Sequence, residues 1–253
     1  MVAGDIIGAK NFLLLANILN SLRIDKLVIP EVVSMTSPEA ILDCQYSSAD
    51  DRFLLQWFIN GSDRPVYQWR PWNEPQVHGV LEGKIDLTYR ASTRIMEERR
   101  ALRLVDLTPE LSGEYSCVIT ADGGSEVRRS GTMMVFSPER DFTLQVKKNH
   151  SSEELEVKCA AGGLFPQPEL ILEHDGIPIR KQVQRVWRNS EYLYDATADS
   201  TLSSDEGRLV HKITCRLMLP QAGYMAMKEE HIRSCTESHP NRGSKANMDA
   251  LCI

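Results

Sequence analysis

The chain has 253 residues, 42% of them hydrophobic and 25% charged, with a formal net charge of −6. That length accommodates two ordinary domains, and the composition is that of a globular protein rather than a disordered one. An acidic chain with no long block of basic residues argues against nucleic acid as a partner, because phosphate binding needs a basic surface.

The first recognisable stretch is apolar. Phe12-Leu13-Leu14-Leu15-Ala16-Asn17-Ile18-Leu19, preceded by Lys10, has the layout of an export signal, and residues 1–24 are assigned to one. Asp5, Asn17 and Asn20 fit that role poorly, and a short N-terminal helix is the competing reading. The six cysteines, at 44, 117, 159, 215, 235 and 252, are even in number, widely spaced and free of any Cys-x-x-Cys. That usage fits structural disulfides and an oxidising compartment. No later stretch reaches the ~18 consecutive apolar residues that a membrane span needs, and Asn241 to Ile253 are polar. The expected location is extracellular, secreted or peripherally held at a cell surface.

Residues 25–138 read as one domain. Leu27–Pro30 with Val32 and Val33 form an edge strand broken at proline. Ile41–Tyr46 alternates as a half-buried strand. Phe53–Ile59 follows and puts Leu55, Trp57 and Ile59 on one face. Asn60-Gly61-Ser62 is a turn and an Asn-x-Ser glycosylation acceptor. Val66-Tyr67-Gln68-Trp69-Arg70-Pro71-Trp72 concentrates two of the chain's four tryptophans. Two registers are open for it. Its rings face outward as a protein-binding edge, or Tyr67 and Trp69 close the core and leave only Trp72 in a loop. Glu97-Glu98-Arg99-Arg100 reads as a solvated charge cluster, and Ala101–Leu107 as a strand. Leu111-Ser112-Gly113-Glu114-Tyr115-Ser116-Cys117 opens the next strand, and Gly131–Phe136 is the last. Cys44, Trp57 one strand later, and Cys117 with Tyr115 two residues before it are the marks of a variable-type immunoglobulin sandwich. Such a sandwich has an inter-sheet disulfide, a core indole and a hydrogen-bonded tyrosine corner.

Residues 139–232 read as a second, divergent constant-type sandwich, so the expected class is all-β with two sandwiches in tandem. Leu155–Cys159 is a strand, and Gly162–Leu170 carries the Phe-Pro-x-Pro bend that follows it in constant-type domains. Cys159 and Cys215 are closer in sequence than the first pair, as the loss of two strands requires. Leu172 stands where tryptophan belongs, and Ile213 at the tyrosine-corner position. Asp175-Gly176 marks a turn, the polar run Arg188–Glu206 a long excursion, and Asn149-His150-Ser151 a second glycosylation acceptor. The tail, 233–253, holds Cys235 and Cys252, read as a third disulfide. The rival reading, His231, Cys235 and His239 as zinc ligands on a helix, lacks any paired Cys-x-x-Cys or His-x-x-x-His. No metal or other cofactor is expected.

None of the common catalytic or phosphate-binding motifs is present, so a binding protein is expected rather than an enzyme. Leu42-Asp43-Cys44-Gln45-Tyr46, Gln56-Trp57-Phe58 and Leu111–Cys117 in this two-domain order resemble the beaten-path family of invertebrate neuronal proteins over about residues 28–235. Gly163–Glu169 is also similar to the membrane-proximal domain of butyrophilin-type immune ligands. The first resemblance implies a secreted or surface-tethered protein of axon guidance and synaptic partner choice. It also implies a sidestep-type immunoglobulin partner bound through the first domain. The contact residues it selects are Phe58, Tyr67, Trp69, Arg70 and Trp72, with Ser116 and Val118 on the outward parity of their strand. The alternative is a soluble structural or immune-type protein with no such receptor.

Overall fold

The computed structural model describes residues 22–48, 51–149, 151–152, 154–203, 206, 210–233 and 251–252. Two units, Met1–Val135 and Phe136–Ile253, each enclose their own core. The division precedes Ser137 because Ser137 exchanges both backbone hydrogen bonds with Phe165 of the second unit, at 2.9 and 3.1 Å.

In the first unit the strands are β1 (Arg23–Val28), β2 (Val32–Ser34), β3 (Ala40–Ser47), β4 (Phe53–Ile59), β5 (Tyr67–Trp69), β6 (Gln76–Val77), β7 (Ala101–Leu104), β8 (Gly113–Ala121) and β9 (Glu126–Phe136). They form two sheets, β1-β3-β7 and β2-β9-β8-β4-β5-β6. Strict alternation turns Ala40, Leu42, Cys44 and Tyr46 of β3, and Phe53, Leu55, Trp57 and Ile59 of β4, into the core. A disulfide joins Cys44 to Cys117 across a 73-residue separation. Closing so long a loop contributes about 4 kcal/mol in the chain-entropy model. Strand β1 takes in Arg23 and Ile24, assigned above to an export signal, and Ile24 is a core residue. Both residues are thus part of the sandwich; residues 1–21 fall outside the described residues.

Among the described residues, no fourth strand joins the three-stranded sheet. The segment that would supply it, residues 86–100, is irregular, so its carbonyls lack a ladder and need side-chain donors. Tyr67 Oη donates to the Arg99 carbonyl at 2.7 Å, Trp57 Nε1 to that of Arg100 at 3.4 Å, and the Tyr46 hydroxyl to that of Met96. Arg99 Nη1 donates to the carbonyls of Leu87 and Tyr89. Arg100 reaches Asp43 Oδ1 at 2.8 Å and Glu97 Oε2 at 2.7 Å. The Glu97–Arg100 run is thus no solvated cluster. Arg99 is only 9% exposed, because it serves the backbone beneath it.

The second unit holds β10 (Asp141–Lys148), β11 (Leu155–Leu164), β12 (Glu169–His174), β13 (Ile177–Pro178), β14 (Gln182–Arg188), β15 (Tyr194–Leu202), β16 (Lys212–Leu219), β17 (Tyr224–Arg233) and β18 (Leu251–Cys252). The sheets are β10-β11-β15-β14 and β13-β12-β16-β17-β18. The second disulfide, Cys159–Cys215, spans 56 residues, with Leu172 directly opposite Cys215 and fully buried. The run Arg188–Glu206 is not an excursion. It contains β15, whose inward residues Ala196, Ala198, Ser200 and Leu202 are too small or too polar to show an apolar alternation. With β5 and β6 in the first unit and only the two-residue β13 in the second, the architecture is two immunoglobulin-like sandwiches in tandem, variable-type then constant-type.

One local device recurs in both. Asn60-Gly61 and Asp175-Gly176 have φ of 52°, 66°, 46° and 83°, the left-handed pair of a type I′ turn. Asn60 N–H donates to Glu114 O at 2.9 Å and its Oδ1 accepts from Glu114 N–H at 3.0 Å. Asp175 N–H donates to Lys212 O at 2.9 Å and its Oδ1 accepts from Lys212 N–H at 3.0 Å. Each turn therefore clamps the start of the strand beside it. Gly113 is required for this closeness, since a Cβ there would lie 2.2 Å from Asn60 Oδ1. The first unit adds a corner bond, from Tyr115 Oη to Leu111 O at 2.8 Å. The second, with the fully buried Ile213 at that position, relies on the clamp.

Two predictions follow from these bonds. Tyr115→Phe should lower the stability of the first unit by about 1–3 kcal/mol in urea unfolding, and Asp175→Ala that of the second by about 1 kcal/mol; no loss in either would show the bonds to be incidental. Burial holds the Tyr46, Tyr67 and Tyr115 hydroxyls protonated well beyond the ordinary tyrosine range. The unfolded chain ionises first, so stability is fully present below pH ~10 and falls as pH rises, by up to about 1.4 kcal/mol per unit for each tyrosine. Tyr46→Phe should flatten that slope by one tyrosine's share.

Candidate functional site

The outward face of the six-stranded sheet is built from residues of opposite parity to the core. Cross-strand pairing places Gln76, Gln68, Gln56, Val118 and Arg128 in one row, and Phe58, Ser116 and Ser130 in the next. Gln68 Nε2 donates to Gln76 Oε1 at 2.5 Å, and Gln56 Nε2 lies 3.5 Å from Gln68 Oε1. The amides thus form a ladder along the row. Ser116 and Ser130 hydroxyls share a hydrogen bond of 2.8 Å. The Arg128 guanidinium sits over the Phe58 ring, 5.4 Å from its centroid, an attraction between cation and ring quadrupole.

Two of the aromatics assigned above to partner contact are core. Tyr67 and Trp69 are 2% and 3% exposed. They pair with the inward residues Trp57 and Leu55 of β4, and only Gln68 of that strand faces out. Trp69 packs edge-on against Phe53 at 6.2 Å and donates its Nε1–H to Asn73 O at 3.1 Å. Ser116 and Val118 do lie on the outward parity, but they are 6% and 2% exposed. These short side chains sit in the middle of the sheet between longer neighbours, so they floor the face rather than present it.

Phe58, Arg70 and Trp72 remain. Arg70 is exposed, and its Nη1 lies 3.8 Å from Asp122 of the β8–β9 hairpin, which also faces Arg52 at 3.7 Å. Trp72 is 61% exposed and holds a φ of 64°, on a turn closed by Asn73 N–H to Arg70 O at 3.1 Å. A bulky residue in that left-handed region is strained by about 1–3 kcal/mol. Trp72, Glu74, Ile95 and Arg99 border a depression of about 210 Å³. Arg128 lies before Gly131, where the sequence pattern places the start of the last strand, so only the observed length of β9 reveals it. The alternation Glu126, Arg128, Ser130 extends it.

The other assigned residues lie elsewhere. Trp57 and Tyr115 are fully buried in the first core and Leu172 in the second. Asn149 Oδ1 accepts from Ser151 N–H at 3.0 Å, and Asn60 stands exposed on its turn. Cys235 and His239 fall outside the described residues, and Cys252 belongs to β18, which runs parallel to the end of β17. Among the described residues, no group of three or more His, Cys, Asp or Glu side chains is placed to hold a metal ion. Nor is any helix among them long and apolar enough to cross a membrane.

No protein-family model matches the chain. Human hemicentin-1, an immunoglobulin-domain protein, is 30% identical over 92 residues, or 36% of this chain. The chain spans about 2% of the length of that relative. The match does not extend to the narrower beaten-path resemblance. The relative, the all-β architecture and the two disulfides together fit an immunoglobulin-superfamily protein.

Proposed function

We propose that this protein is an extracellular recognition protein, not an enzyme, and that its first sandwich docks another protein through the outward face of the six-stranded sheet. The observation that carries this is the pairing of Phe58 with Arg128 on a face whose rim holds a strained, exposed Trp72. Aromatic and arginine side chains dominate binding energy at protein interfaces. Strain kept at an exposed residue points to a use outside folding. The glutamine ladder supplies amides that both donate and accept, which suits a partner's polar sheet face. By its resemblance to the beaten-path family, the partner is another immunoglobulin-superfamily cell-surface protein of the sidestep type, in neuronal adhesion, axon guidance or synaptic partner choice. Secretion or peripheral retention at the cell surface, glycans on Asn60 and Asn149, and a Cys235–Cys252 disulfide belong to the same reading.

The burial of Tyr67 and Trp69 favours a second reading. In it the aromatic run serves packing, and the protein is a soluble extracellular or immune-type protein without a heterophilic receptor. Trp72 separates the two. Trp72→Gly removes the ring and relieves the left-handed backbone, so thermal stability should not fall, whereas Trp69→Ala should cost about 3–5 kcal/mol. On the recognition reading, Trp72→Gly combined with Phe58→Ala weakens capture of the cognate ectodomain from an immunoglobulin-receptor panel by at least ~30-fold. Capture that survives this double substitution, or a panel with no binder at all, leaves the second reading standing.

A further inference from the structure

The second sandwich carries a separate charged feature. Arg180, Lys181, Arg185 and Arg188 lie in a run with no acidic residue between its ends, and all four are exposed. Gln182, Val183, Gln184, Val186 and Trp187 are interleaved with them, so no unbroken basic block marks the segment in the sequence. In the fold Arg185 lies on the outward face of β14, Arg188 on the opposite parity near the strand's end, and Arg180 and Lys181 on the bend that precedes it. β14 is the last strand of its sheet and pairs with β15 on one side only. Arg185 lies 3.3 Å from Asp199, and Arg188 stacks over Tyr194 at 5.0 Å. Arg180 and Lys181 form no ion pair among the described residues.

The backbone beneath these cations is held firmly. Ile179 is 4% exposed and its N–H donates to Leu172 O at 2.9 Å. The Gln182 amide accepts from Leu172 N–H at 2.9 Å and donates to Ile179 O at 3.0 Å. Ser200 Oγ donates to Lys181 O at 2.8 Å. A ligand meeting charges on so fixed a bend pays little to order them. Of the carboxylates nearby, Glu191 pairs with Arg140 at 2.5 Å and Asp195 accepts from Gly163 N–H at 2.9 Å, while Asp199 faces Arg185 and Glu206, held by Ser203, lies within electrostatic reach of Lys181. A free edge that only had to be kept from pairing would need charge alone. Here Val183 and Trp187 are also 53% and 47% exposed, on the same side of the strand as Arg185.

We propose that this edge docks a linear sulfated polysaccharide of the glycosaminoglycan class. β14 carries Arg185 and Arg188 along roughly 20 Å of extended chain, and Arg180 and Lys181 add their charges at the bend before it, matching closely spaced sulfates and carboxylates. Trp187 offers a ring face to a sugar. Local charge of this kind attracts a polyanion even on a chain of net charge −6. The disulfides place the chain in an oxidising compartment, and the acidic remainder disfavours nucleic acid.

The test uses the full chain and heparin as probe, with binding measured in about 0.15 M salt. Arg180→Glu with Lys181→Glu should weaken heparin binding by at least about tenfold. Lys26→Glu with Arg64→Glu, an equal change of charge on the first sandwich, should leave it within about twofold. Duplex DNA should bind at least about tenfold more weakly than heparin. An equal loss in both double variants would overturn the site, and DNA binding as tight as heparin would overturn the choice of polysaccharide. The readout does not depend on the first sandwich, so its failure leaves the receptor-binding proposal untouched.

Discussion

Trp57 lies opposite Cys117 across β4 and β8, and this pairing decides which side of every neighbouring strand faces the core. Side chains in a strand alternate with a period of two, so a slip of one residue would exchange the two faces. The disulfide to Cys44 and the fully buried indole make the inward assignment irreversible. Once it is made, Leu55 and Ile59 must follow Trp57 inward, and Gln56 and Phe58 must follow each other outward. Strand β5 inherits its parity from β4, which is why Tyr67 and Trp69 are core and Gln68 is surface.

A second constraint comes from the strand that is missing. A sandwich lacking its fourth strand on one sheet leaves a stretch of backbone with no ladder, and buried carbonyls cannot go unpaired without cost. The first sandwich meets this with Tyr46, Trp57, Tyr67 and Arg99, whose side chains reach the carbonyls of residues 87–100. The same residues that fill the core thus fix the loop that covers it. The second sandwich has that strand, β14, paired with β15 along its length. What the two share is the Asn60 and Asp175 clamp, a two-residue turn that uses one side-chain oxygen to hold the start of the neighbouring strand in the sheet.

The two sandwiches therefore offer unlike surfaces. The first presents a sheet face of amides, one ring under a guanidinium and a strained tryptophan at the rim. The second presents a sheet edge of arginine and lysine. Short, specific contacts with a protein suit the former, and a repeating anion suits the latter. In each case the chemistry is set by side chains that packing does not need.

The sequence by itself determined the sandwiches. Cys44, Trp57, Tyr115 and Cys117 stand at the spacings of an immunoglobulin sandwich, and β3 and β4 are long enough for their alternation to be read directly. Tertiary structure alone decided the rest. β5 has three residues, too few to show a period, so only its partner strand reveals that Tyr67 and Trp69 point inward. β15 alternates alanine and serine with threonine and aspartate, a pattern that hydrophobicity cannot separate from a polar loop. Arg99 looks like a surface charge until the backbone around it is seen to lack partners. Among the residues proposed for binding, Phe58, Arg70 and Trp72 stay on the surface while Tyr67 and Trp69 do not. The physical reason is the same throughout: a residue's type shows what it can do, and only its neighbours across the sheet decide which face it is on.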